Sequence, residues 1–150
     1  MAVEVTVKIY IFGFADGFNK KIVLKKENSY EDNKIGWREG IQECILSFDV
    51  LVQPSTFPEG FGMTCVVSMA LGKPLVVTNI PGPSELVVDG KAGFIVPSNN
   101  PQKLSERILQ ILNNRELACL LGINGREHVR MKYDIKNTMK QIENIYSTII

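Results

Sequence analysis

The segment from Asp49 to Thr78 sets the strictest limit on the fold. A short apolar run, DVLV, stops at Pro54-Ser55. A turn-rich stretch, TFPEGFG, leads into MTCVVSMALG, and a second short apolar run, LVVT, follows. Apolar runs this short, without alternation, read as strands covered on both faces, and the stretch between them is long enough for a helix. MTCVVSMALG is apolar nearly all round, as in a helix buried in a larger domain. Gly72 is its expected C-cap, and Lys73-Pro74 restarts the chain. A strand, a covering helix and a second strand predict an α/β domain with a parallel sheet.

The flanking sequence extends the pattern. Upstream, Val3, Val5, Val7, Ile9 and Ile11 alternate with mostly polar residues, which predicts a strand. Gly13, Gly17 and the run Glu27–Lys34 read as loop, with KKIVLKK between them ambiguous. Ile41, Ile45 and Phe48 recur at helical spacing over Arg38–Phe48. Downstream, Asn79–Pro83 reads as loop, Ser84–Val88 as one helical turn and Asp89-Gly90-Lys91 as a turn before the strand Gly93–Val96. From Pro101 three helices are predicted. The first carries the stripe Leu104, Ile108, Ile111, Leu112. The second spans Glu116–Val129. The third carries Ile135, Met139, Ile142, Ile145, Tyr146 and Ile149.

Composition removes other classes. The 150 residues hold 17 Lys and Arg against 16 Asp and Glu, a net charge of +1, which leaves no excess for a nucleic-acid backbone. With 45% apolar residues the chain has the means to bury a core. No apolar run is long enough for a transmembrane helix. The opening residues have the pattern of neither a signal nor a transit peptide. Cys44, Cys65 and Cys119 are widely spaced in apolar sequence and read as buried, reduced thiols, consistent with a cytoplasmic location. A single His and no paired cysteines leave no metal set to assemble.

The chemistry is expected where the strand ends at Pro54. Open parallel sheets place ligands outside the carboxyl ends of their strands. A glycine-containing loop running into a helix N-terminus lets backbone N–H groups meet an anion.

PSTFPEGFGMTCVVSMALGKPLVVT, followed by IPGPSELVVDGKAGFIVPSNNPQKLSERILQIL, resembles the carboxy-terminal half of a GT-B glycosyltransferase. It is most similar to family four, the retaining transferases with nucleotide-sugar donors. The resemblance runs from Gly36 to the last residue. It implies a Rossmann-like three-layer sandwich, one half of a GT-B fold, closed by C-terminal helices. Residues 1–150 are then a single nucleotide-sugar-binding domain, with the acceptor domain and the first strand–helix unit absent.

The resemblance also implies roles. Glu59 matches the first of two glutamates separated by seven residues and is the catalytic candidate, contacting hydroxyls of the transferred sugar. Gly60, Phe61, Gly62, Met63 and Thr64 match the loop and first helical turn that hold the donor diphosphate. Gly36 and Trp37 match the loop beside the nucleobase. Val67 stands where the family has the second glutamate, which binds the ribose hydroxyls, and a valine accepts no hydrogen bond. Glu85 matches an acidic position with a structural role. No cofactor or metal is implied beyond the nucleoside diphosphate sugar itself.

Other readings stay beside this one. Glu59 also fits as a cap for the following helix, and Trp37 as a packing aromatic. His128 reads as a solvated or capping residue on a surface helix. Lys20-Lys21 and Lys25-Lys26 read first as a solvated face, second as a contact for phosphates or an anionic membrane surface. The resemblance implies an acceptor-binding domain or partner chain, with Ile145 and Ile149 left bare and self-association as a consequence. A degenerate, non-catalytic binding or scaffold module docked on a partner chain is the alternative function. A sugar-nucleotide epimerase of the same fold is disfavoured by the Glu-Gly-Phe-Gly loop.

Overall fold

The structure, a computed structural model, describes the backbone of three strands at residues 7–11, 20–24 and 30–34, and backbone and side chains from Gly40 to Ile149. One six-stranded sheet organises it. The strands are β1 (Val7–Ile11), β2 (Lys20–Leu24), β3 (Tyr30–Lys34), β4 (Val50–Gln53), β5 (Leu75–Thr78) and β6 (Phe94–Val96). Their order across the sheet is β3-β2-β1-β4-β5-β6. The helices are α1 (Ile41–Leu46), α2 (Met63–Ala70), α3 (Pro83–Leu86), α4 (Pro101–Leu112), α5 (Arg115–Lys132) and α6 (Ile135–Ile149).

β1, β4, β5 and β6 run parallel, as expected. β2 runs the other way, and it pairs antiparallel with β1 on one side and β3 on the other. This corrects the reading of Glu27–Lys34 as loop, since Tyr30–Lys34 is an edge strand. The connections 12–19 and 25–29 are shorter than the dozen or so residues that a parallel crossover needs, so the chain can only turn back on itself. The polar run YEDNK carries no apolar alternation, and pairing with β2 alone makes it a strand.

Alternating side chains of the parallel strands feed two cores. Leu51, Leu75 and Val77 pack with Cys65 and Met69 of α2 and with Phe48, Leu86 and Val129. Val50, Val52, Val76, Phe94 and Val96 pack on the other face against Ile111 of α4 and Leu121 of α5. Each such side chain contributes roughly 1.5–3 kcal/mol by leaving water. These are the three layers.

α2 is fixed at both ends. At its C-terminus Gly72 N–H donates to Met69 O at 2.8 Å and Lys73 N–H to Ser68 O at 2.9 Å, a Schellman motif. The Arg126 guanidinium donates to the carbonyls of Ala70 and Leu71, both at 3.2 Å. α5 reaches this end closely because Gly122 has no side chain. A Cβ there would overlap the Gly72 carbonyl. Two expectations need correction. Cys119 is exposed rather than buried, because it lies off the stripe Leu121, Gly122, Gly125, Val129 that α5 buries. His128 is half-buried with Nε2 shielded from solvent, and it lies 6.2 Å from the Tyr133 ring rather than on a solvated face.

Candidate active site

β4 and β5 end on the same edge of the sheet, and the loops that leave them touch. Glu59 N–H donates to Pro81 O at 3.2 Å. Gly82, at φ 95°, lies where a Cβ would fall 2.5 Å from the Glu59 carbonyl oxygen, so only glycine lets the two loops close. Behind Gly82, α3 begins with Glu85 accepting from the Gly82 N–H at 3.3 Å, which gives Glu85 the structural role expected of it.

Gly62 delivers the loop to α2. It is the N-cap at φ 85°, a left-handed conformation that glycine adopts without strain. Cys65 N–H reaches back to Gly62 O at 2.9 Å. The N–H groups of Gly62, Met63 and Thr64 therefore open the helix without an intrahelical acceptor, as at any helix start. No side chain caps α2, so Glu59 is not its cap.

The Glu59 carboxylate is held elsewhere. Gln53 Nε2 donates to its Oε2 and Ser55 Oγ to its Oε1. Gln53 is almost completely buried at the end of β4, and its Oε1 accepts from the Cys65 thiol at 2.7 Å. The Thr78 hydroxyl, at the end of β5, donates to the Ser55 carbonyl at 2.6 Å. Burial first, and the Glu59 charge second, push the Cys65 thiol up to about 12. Sequence reasoning missed Gln53, Ser55, Cys65 and Thr78. The available signal was a glutamine closing the otherwise apolar strand VLVQ, with a serine two residues on.

Of the expected diphosphate residues, Gly60, Phe61, Gly62, Met63 and Thr64 do lie together on this edge. The Phe61 ring turns to the side and meets Tyr133 edge-on, with centroids 5.8 Å apart. Val67 is half-buried, on the side of α2 away from the buried Cys65, Ser68 and Met69. Gly36 and Trp37 lie outside the described residues, as do Lys25 and Lys26.

The α/β fold that carries these loops is shared with known proteins. The sequence pattern of the glycosyl transferases group 1 matches residues 7–128. The chain belongs to this family. The match begins upstream of Gly36, so β1 is part of the shared domain. The capsular polysaccharide biosynthesis glycosyltransferase CapM of Staphylococcus aureus is 33% identical over 150 aligned positions, covering 89% of this chain and 39% of CapM. An uncharacterized glycosyltransferase of Methanocaldococcus jannaschii is 39% identical over 99 residues, 66% of this chain and 28% of its own. The chain thus spans well under half the length of these relatives.

Among solved structures, HepE of Anabaena in complex with UDP superposes with a TM-score of 0.72 at 27% identity, covering 76% of this chain and 31% of HepE. The C-terminal domain of LpcC, a group 1 family protein of Francisella tularensis, superposes with a TM-score of 0.61 at 25% identity, covering 67% and 53% of the two chains. The fold is the carboxy-terminal half of a GT-B glycosyltransferase. No helix among the described residues is long and apolar enough to cross a membrane.

Proposed function

We propose that this chain is the donor-binding domain of a retaining glycosyltransferase, which transfers a sugar from a nucleoside diphosphate to an acceptor held by a second domain or a partner chain. The observation that carries the reading is the braced Glu59 carboxylate beside the open start of α2. The N–H groups of the Gly60–Thr64 segment would take the charge that develops on the leaving diphosphate. Glu59 would accept from hydroxyls of the sugar. UDP is the first nucleotide to try, because the HepE neighbours were solved with UDP and with UDP-glucose.

The second domain has a surface to meet. α6 has no buried residue, and Ile135, Met139, Ile142, Ile145, Tyr146 and Ile149 are all exposed. A partner domain across the cleft would cover this helix, and without it two copies would associate through it. Val67 favours the second reading, a binding module without catalysis, since no carboxylate stands there for the ribose.

The test is an amide titration of the isotope-labelled chain with UDP and UDP-glucose. The first and largest shifts are expected at Gly60–Thr64. Shifts confined to Lys20–Leu24, or none at all, would overturn the reading. Incubation with nucleotide sugars and acceptors should give no turnover from the 150 residues alone.

A further inference from the structure

We propose that Gln53 and Ser55 are positioning residues that hold the Glu59 carboxylate in one orientation for a sugar hydroxyl. The inference rests on the reading of Glu59 given above. It starts from an anomaly in β4. Val50, Leu51 and Val52 are fully buried, and so is Gln53, where an apolar side chain would pack without cost. A buried amide is tolerated only with both ends satisfied. Gln53 meets that condition through two different elements. Its Oε1 accepts from Cys65 on α2, and its Nε2 donates to Glu59 in the loop. Ser55, also buried, donates its hydroxyl to the other Glu59 oxygen, while its own carbonyl is tied to Thr78 on β5.

Two strand ends and a helix therefore converge on one carboxylate, and each of its oxygens receives one donor. A carboxylate oxygen has two lone pairs. One on each oxygen is used by the protein, and one remains. Glu59 itself is half-buried, so its side chain is not sealed off by this network. The glutamate is fixed before any ligand arrives, and a hydroxyl that meets it does not have to order a mobile side chain. Neither Gln53 nor Ser55 needs to touch the ligand.

The experiment uses the 150-residue chain and three probes: UDP, UDP-glucose and UDP-N-acetylglucosamine. The quantity read by calorimetry is the gain in affinity of the better UDP-sugar over UDP. Glu59→Gln, Gln53→Leu and Ser55→Ala are each expected to reduce that gain about tenfold, the scale of one hydrogen bond to a charged group, with UDP affinity unchanged. Ser55→Thr keeps the hydroxyl and should keep the gain. A thermal melt beside each titration identifies a variant that has lost its fold, and Ser55→Ala, the smaller change, stands if Gln53→Leu does not. If Glu59→Gln loses the gain while Gln53→Leu and Ser55→Ala keep it, the positioning role is overturned and the reading of Glu59 survives. If Glu59→Gln keeps the gain, or the wild-type chain shows none, the reading of Glu59 fails and the positioning role falls with it.

Discussion

α2 and α6 each carry six apolar residues, and the fold treats them oppositely. α2 is short, and Cys65, Ser68 and Met69 are completely buried in it. α6 is almost twice as long and buries nothing. Apolar density differs, six residues in eight against six in fifteen, but place in the chain decides as well. α2 sits between β4 and β5 in sequence, so the sheet covers it as soon as the two strands pair, and α5 packs on Met69 and on its C-terminal end. α6 comes last, after both faces of the sheet are filled. Its apolar stripe stays exposed, where the apolar residues of α2 feed the core.

The largest effect should come from emptying the covered helix. Met69→Ala removes a fully buried side chain at the junction of α2 and α5 and should cost about 2–5 kcal/mol in chemical denaturation. A loss under 1 kcal/mol would mean that the α2–α5 contact is not tight.

Val67→Glu asks whether the outward side of α2 faces a ribose pocket. Position 67 is half-buried and turned from the core, so water reaches a new carboxylate and the desolvation cost stays small. Two ribose hydroxyls donating to it should add roughly 1.5–3 kcal/mol, about 10- to 150-fold in UDP affinity by calorimetry. Unchanged affinity with unchanged stability would place the ribose elsewhere.

Gly122→Ala tests the closeness of the two helices. The added methyl would overlap the Gly72 carbonyl, so α5 has to move and strain the Schellman turn and the Arg126 bonds that close α2. Alanine gains about 1 kcal/mol of helix propensity. The overlap should outweigh it, for a net loss of about 1–3 kcal/mol and a Tm lower by several degrees.

The smallest effect on stability belongs to α6. Ile142→Lys with Ile145→Lys should change the unfolding free energy by less than about 0.5 kcal/mol, because both side chains are already in water. The same pair should abolish any concentration-dependent self-association in sedimentation velocity. A stability loss of 2 kcal/mol would instead mean that α6 docks on its own domain.

The pH response separates the same regions. The Cys65 thiol is pushed up to about 12 from 9.0. In the folded chain it stays protonated where the unfolded chain has lost its proton, so stability is full below pH 9 and falls as pH rises toward 12. Cys65→Ala should flatten that decline. Near neutral pH a thiol reagent should modify exposed Cys119 quickly, with Cys44 and Cys65 protected until the chain unfolds.

Local pattern alone determined much of this protein. The parallel strands at Val50–Gln53, Leu75–Thr78 and Phe94–Val96 and the helices from Met63 and from Pro101 onward follow from short apolar runs, helical spacing, Gly72 and the Pro-Gly turns. Each of those signals acts within a few residues of itself. The glycine loop was legible for the same reason, whereas the exposure of Ile145 and Ile149 was expected only from the resemblance to one half of a two-domain enzyme. Tertiary structure decided what depends on partners far along the chain. YEDNK becomes β3 because β2 is beside it. Cys119 faces water because α5 presents another stripe to the sheet. The hold on Glu59 needs Gln53 from one strand, a loop folded back over it, and Cys65 from the helix beyond. No periodicity records that meeting, because side-chain hydrogen bonds across loops are set by how elements pack and not by the spacing of residues along the chain.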